Sequence, residues 1–181
     1  MLLQIGLFLL QSISHLVVAS FLLRFYAFLF RINISSNSAG LGQFLFAVTD
    51  WAVLPLRSFL PRLSRIDLSS LLPALAILLL LSLVKSWVMT RQIDLSHVSY
   101  LFIFDTLSLI ITLLTVMLII QAVLSWIQPQ SHVQYFLHQL SDPLLRPIRN
   151  FMPLIGGIDL SPLVALLILQ VLSMVIHSYK F

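Results

Sequence analysis

Four long uncharged runs set the pattern of this chain. Met1–Leu23 ends at Arg24, and Leu68–Val84 lies between Asp67 and Lys85. Thr106 to about Ile127 follows Asp105, and Leu160–Tyr179 lies between Asp159 and Lys180. About 20 apolar residues in a helix cross the hydrocarbon core of a bilayer, so each run predicts a transmembrane helix. The second run has only 17 residues. Lys85 lengthens it by extending its ammonium to the interface while its stem stays in lipid. The first run has no basic leading segment and no small-residue cleavage pattern, and it is too long for the apolar part of a signal peptide. It reads as a retained span.

Between the third and fourth runs the pattern changes. Val133, Phe136, Leu137 and Leu140 recur at helical spacing, with His132, Gln134, His138 and Gln139 among them, which predicts an amphipathic helix. Ser141-Asp142-Pro143 then reads as a fresh helix start, with Asp142 as N-cap and Pro143 at the first helical position. Pro147 removes an amide donor about one turn later and is expected to kink or end that helix, and Pro153 to close it. Arg146 and Arg149 share one face, with Ile148, Phe151 and Met152 as apolar companions. The expectation is a proline-broken amphipathic element lying on the membrane, arginines at headgroup phosphates. Gly156-Gly157 permits a sharp turn, and Asp159 or Ser161 caps the last span, with Pro162 near its first turn.

The same element occurs twice. Asp50–Ser69 and Asp142–Ser161 align without a gap at an offset of 92, with 9 of 20 positions identical; Phe44–Leu71 against Phe136–Leu163 gives 12 of 28. The shared residues include two Asp, two Pro and an Arg in register. The first copy keeps Asp50, Pro55, Arg57, Phe59, Pro61, Asp67 and Ser69. It has Trp51 where the second has Pro143, Ser64-Arg65 in place of the glycines, and an added Arg62.

Composition fits this picture. The 181 residues are 60% hydrophobic and 9% charged, against about 25% charged in a soluble domain, so too little polar surface exists to coat a water-soluble globule. The six acidic residues are all Asp, and ten Lys/Arg give a formal charge of +4. The basic residues cluster beside apolar runs, which points to anionic lipid headgroups and away from nucleic acid. Arg24, Arg31, Arg57, Arg62, Arg65, Arg146 and Arg149 fall on one side of the predicted spans; Lys85, Arg91 and Lys180 fall on the other. By the positive-inside rule the repeated segments face the cytoplasm and both termini lie outside. Each unit holds two spans, so the units are parallel, related by an axis along the membrane normal.

Candidate chemistry is sparse. The chain has no cysteine, which removes disulfides, thiolate metal sites and cysteine nucleophiles. No phosphate loop, zinc motif or Ser/His/Asp set is apparent; no catalytic residue, metal ligand or cofactor is expected. Arg57 and Arg149, equivalent across the repeat, and Arg146 are the candidate contacts for lipid phosphate or an acidic partner. Asp50, Asp67, Asp142 and Asp159 read as helix caps, with Asp67 and Asp159 also within reach of the arginines. Asp105 starts the third span near the outer interface, as an intramembrane candidate. Gln11 and His15 share a face of the first span. Gln121 and Gln170 are expected to bond neighbouring helices. His15 and His177 sit outside the repeated motif, which speaks against haem ligation.

These residues resemble the YggT family of small bacterial membrane proteins. The family hallmark is similar to ITDPLLRPLRRxIPxxGGxDLSPLVALLLLQ; Leu140–Gln170 reads LSDPLLRPIRNFMPLIGGIDLSPLVALLILQ. Leu124–Trp126 (LSW) and Leu22–Arg24 (LLR) also fit. Asn150 stands where the family usually has a second basic residue. With the more divergent first copy the resemblance covers essentially the whole chain. It implies a multi-pass protein of the bacterial inner membrane without an established enzymatic activity. It also brings leads from relatives: assembly of a haem-bearing cytochrome in plastids, proximity to cell-division genes, and tolerance of osmotic stress.

The expectation is therefore an all-α membrane protein. Four transmembrane helices form two parallel repeats, units 1–90 and 98–181, each with a cytoplasmic amphipathic proline-broken segment. The functional expectation is non-enzymatic support of the assembly or organisation of other membrane proteins. The alternative is a transport or channel-like protein of osmotic stress tolerance. Partners are the bilayer with its anionic headgroups and other membrane proteins; a homo-oligomer is allowed.

Overall fold

The computed structural model describes residues 1–32, 34, 40–59, 67–128, 130–151 and 159–179. The readings made at Pro61, Arg62, Ser64, Arg65, Met152, Pro153, Gly156, Gly157 and Lys180 lie outside the described residues.

Six helices make up the described chain: α1 Leu2–Leu29, α2 Leu41–Phe59, α3 Leu68–Thr90, α4 Leu95–Ile127, α5 His132–Phe151 and α6 Ser161–Tyr179. Four of them, α1, α3, α4 and α6, are long and apolar enough to cross a membrane. Most of their large side chains face outward, among them Phe8, Leu80, Ile103 and Leu167, as lipid contact requires.

The spans are longer than the uncharged runs that announced them. Helix α1 continues past Arg24 because the guanidinium finds acceptors inside the bundle. Helix α3 continues past Lys85 for the same reason: its ammonium pairs with Asp105 of α4. Helix α4 starts at Asp94, whose carboxylate accepts the Ser96 amide at 3.1 Å and the Ser96 hydroxyl at 2.7 Å. It stops at Gln128, which precedes Pro129, and a residue before proline is disfavoured in the helical region.

Helices α2 and α5 differ from expectation in two ways. Asp142 does not start a helix; it sits in the middle of α5, and Asp50 likewise sits inside α2. Neither is an N-cap. The prolines also fail to end these helices: α2 runs through Pro55, and α5 through Pro143 and Pro147 to Phe151. Pro147 lies on the exposed side of α5, where the carbonyl that loses its amide partner can turn to solvent. Both helices bury a single stripe. In α2 it is Gly42, Leu45, Thr49 and Val53; in α5 it is Gln134, Leu137, Ser141 and Leu145, joined by Phe136 and Leu140.

Packing follows the stripes. Helix α1 lies against α3 and α2, α4 against α6 and α5, and α3 and α1 both touch α4. One core gathers Val18, Phe21, Val53, Ala74, Leu78 and Leu109, and another Leu118, Leu145, Ala165 and Leu169. A third, built on Ala27, Met117, Phe136, Leu137 and Leu140, joins α1, α4 and α5.

Candidate functional site

The polar groups collect at two levels. The larger collection lies where α2 and α5 meet the span ends. Arg24 of α1 is almost fully enclosed and donates from one Nη1 to Thr49 Oγ1 and to Asp50 Oδ1, each at 2.6 Å. The Thr49 hydroxyl in turn donates a hydrogen bond to the Leu45 carbonyl at 2.6 Å, and the guanidinium lies 4.9 Å from the Phe46 ring centre. A charge with this many acceptors tolerates burial that an unpaired one would not.

Arg57 Nη2 reaches Asp67 Oδ2 at 3.2 Å, and the Ser70 hydroxyl donates to the same oxygen at 2.8 Å. Arg149 reaches further. Its Nη1 donates to Asp142 Oδ1 and its Nε to Asp159 Oδ2, both at 2.9 Å. Arg146, 76% exposed, adds a 3.2 Å contact to the other Asp142 oxygen. Arg57 thus ties α2, and Arg149 ties α5, to the aspartate just before the following span.

The aspartates expected as caps therefore divide. Asp159 accepts the Ser161 amide at 2.9 Å while held by Arg149. Burial alone would raise its pKa; the hydrogen bonds from Ser161 and Arg149 outweigh that and lower it. Asp67 precedes α3 but accepts no backbone hydrogen bond there with its side chain; Ser70 and Arg57 take its carboxylate. Asp50 and Asp142 serve as arginine acceptors. Every carboxylate of this level is held by an arginine.

The second level lies inside the spans toward the other end. Lys85 of α3 donates to Asp105 of α4 at 2.6 Å, and both are enclosed. Buried Ser82 and Ser86 flank Lys85 on α3. The sequence placed Asp105 near the interface. The structure buries it, because α4 begins at Leu95 and leaves Asp105 almost three turns in, with a lysine facing it across the α3–α4 hairpin. Among the described residues no group of three His, Asp or Cys side chains has the arrangement of a metal site.

Two features escaped the sequence reading. Ile93-Asp94-Leu95-Ser96 repeats the IDLS of residues 66–69 and 158–161; three matching lead-ins to α3, α4 and α6 were there to be counted. Asp94 is lowered in pKa first by the Ser96 side chain, then by its amide. The pairing of Arg24 with Asp50 had no local signal, since 26 positions separate them.

The CCB3/YggT family matches residues 1–88 and 100–179. The chain belongs to this family. It is a CCB3/YggT membrane protein with two family segments. YggT of Escherichia coli (strain K12) is 39% identical over 139 residues, 73% of this chain and 69% of that protein. A Vibrio alginolyticus protein described as lying in the proC 3' region is 34% identical over 168 residues, 88% of this chain and 90% of its own. A Pseudomonas aeruginosa protein is 32% identical over 176 residues, 94% and 87% of the two chains. All three are described as uncharacterized. No solved structure matches the chain.

Proposed function

We propose that this CCB3/YggT protein is a non-enzymatic protein of the bacterial inner membrane that supports assembly or organisation of other membrane proteins through α2 and α5. The observation that carries the reading is a pair of phenylalanines. Phe59 and Phe151 hold the same place in the repeated segment and are 85% and 87% exposed, each two residues beyond an arginine that anchors its helix. An aromatic ring exposed at both sites offers a contact surface for a partner.

The reading takes the chain as two parallel units, 1–90 and 98–181, with α2 and α5 on the cytoplasmic side and both termini outside. Its supports are the paired burials. Gly42, Leu45, Thr49 and Val53 of α2 correspond to Gln134, Leu137, Ser141 and Leu145 of α5 at the offset of 92. An apolar chamber of about 400 Å³ between α1, α2, α4 and α5 is lined by such pairs. They include Phe44 with Phe136 and Leu45 with Leu137.

A transport or channel-like role in osmotic stress tolerance is the second reading, favoured by the enclosed Lys85–Asp105 pair. One experiment divides the two. A photocrosslinking residue replaces Phe59 or Phe151 in cells, beside solute and ion flux measured in liposomes under an osmotic gradient. A reproducible protein adduct at both positions without flux supports assembly. Specific flux lost in Asp105→Asn overturns it. A reporter fused at residue 95 tests the orientation and is expected outside.

A further inference from the structure

Arg31 is one of two described non-glycine residues with positive φ, at 55°. It closes α1: the Arg31 amide bonds the Phe28 carbonyl at 3.1 Å and the Ile32 amide the Ala27 carbonyl at 2.8 Å. Glycine usually takes this place because a Cβ is strained there. Here the strained turn sets an exposed arginine at the rim of a groove of about 660 Å³ between the end of α1 and the outer face of α5. Tyr135, His138, Gln139, Asp142 and Arg146 form the α5 wall.

Charge bookkeeping shows what the groove lacks. All six aspartates lie among the described residues. Asp50 is held by Arg24, Asp67 by Arg57, Asp105 by Lys85, Asp142 by Arg149 and Arg146, and Asp159 by Arg149. Asp94 is bonded to Ser96 at the start of α4. None pairs with Arg31. Asp142, the one carboxylate of the groove, is already held by Arg149 through one oxygen and by Arg146 through the other, so Arg31 faces the groove without a carboxylate and the groove is short of negative charge. Arginine, tyrosine hydroxyl and imidazole N–H groups converging from two helices are the donors a tetrahedral anion uses.

We propose that this groove binds a phosphate group, with Arg31 and Arg146 as its charged contacts and Tyr135 and His138 as further hydrogen-bond donors. The phosphate is that of an anionic phospholipid headgroup or of a free phosphate-bearing solute. The proposal rests on the reading above only in setting α5 at the membrane face; the crosslinks at Phe59 and Phe151 report on that reading and do not involve Arg31, so the two can fail separately.

The test uses the full chain, in detergent with inorganic phosphate by calorimetry, and in nanodiscs of phosphatidylcholine with or without phosphatidylglycerol by native mass spectrometry. Arg31→Gly removes the charge and relieves the backbone, so it keeps the fold. Arg146→Gln leaves Arg149 on Asp142. Arg91→Gly is the control: Arg91 has φ 56° at the end of α3, the same charge and strain at the opposite end. Arg31→Gly and Arg146→Gln are each expected to weaken binding about fivefold, with Arg91→Gly unchanged. Retention of phosphatidylglycerol that inorganic phosphate displaces marks a headgroup site; phosphate binding without lipid preference marks a solute site. The proposal fails if the wild type binds neither probe, if Arg31→Gly binds as the wild type, or if Arg31→Gly and Arg91→Gly lose affinity equally.

Discussion

Lys85 Nζ lies 2.6 Å from Asp105 Oδ2, with the two side chains 12% and 3% exposed. The pair joins α3 of the first family segment to α4 of the second in a mostly enclosed setting. Removing one partner leaves the other charge buried, and such losses run to about 3–5 kcal/mol. Lys85→Met and Asp105→Asn are each expected to destabilise the purified protein on that scale in denaturant or thermal unfolding. The double variant Lys85→Met/Asp105→Leu removes both charges and is expected to recover most of the loss. A double variant as unstable as the sum of the singles contradicts this account.

Arg24 and Gln121 make a second contrast. Arg24 feeds Thr49 and Asp50, whereas Gln121, nearly as buried on α4, leaves its Oε1 without a hydrogen-bond partner. Asp50 keeps some solvent contact, so Arg24→Gln is expected to cost about 1–2 kcal/mol. Gln121→Leu removes an unsatisfied acceptor and is expected to be neutral or stabilising. Unfolding midpoints of the two variants in one detergent decide it; a Gln121→Leu loss matching that of Arg24→Gln would show Gln121 bonded.

The start of α4 carries a smaller prediction. Ser96 donates twice to Asp94 and holds its pKa below the ordinary carboxylate value. With the folded value depressed, the cap's contribution is present above the unfolded pKa and is lost as pH falls through the folded one. Ser96→Ala is expected to raise the Asp94 titration midpoint and speed amide exchange in the first turn of α4. An unshifted midpoint argues against the bond.

The spans were legible because lipid demands long apolar runs, and nothing else in a chain of this size produces them. Their ends were not. Arg24, Lys85 and Asp105 looked like boundary markers since a charge ordinarily stops a span; each lies inside a helix because its partner comes from another helix, and periodicity along one segment carries no information about that. Asp142-Pro143 failed for a related reason. The dipeptide has the form of a helix start, but the stripe from Gln134 through Leu145 packs as one face and carries the helix across it, tertiary burial overriding the local signal. The repeated Asp and Arg residues were located as a group, and only the fold reveals which arginine meets which aspartate.

That partnering differs between the two copies. Arg57 holds Asp67 alone, while Arg149 holds Asp142 and Asp159 together through two different nitrogens. A lysine offers one charged centre where guanidinium offers a planar fork, so Arg149→Lys is expected to keep one aspartate and release the other, and Arg57→Lys to change little. Asp159 gives the readout. Burial pushes its pKa up, but the bonds from Ser161 and Arg149 bring it below the ordinary value, so the α5–α6 tie contributes above the unfolded pKa of about 3.9 and fades as pH falls through the folded value. Carbon-13 titration of the aspartates in micelles should place the Asp159 midpoint below that figure in the wild type and in Arg57→Lys. In Arg149→Gln it should rise only in part, since the Ser161 bonds remain. A midpoint that does not move when Arg149 is replaced would mean that Ser161 alone sets it, and that Arg149 does not tie α5 to α6.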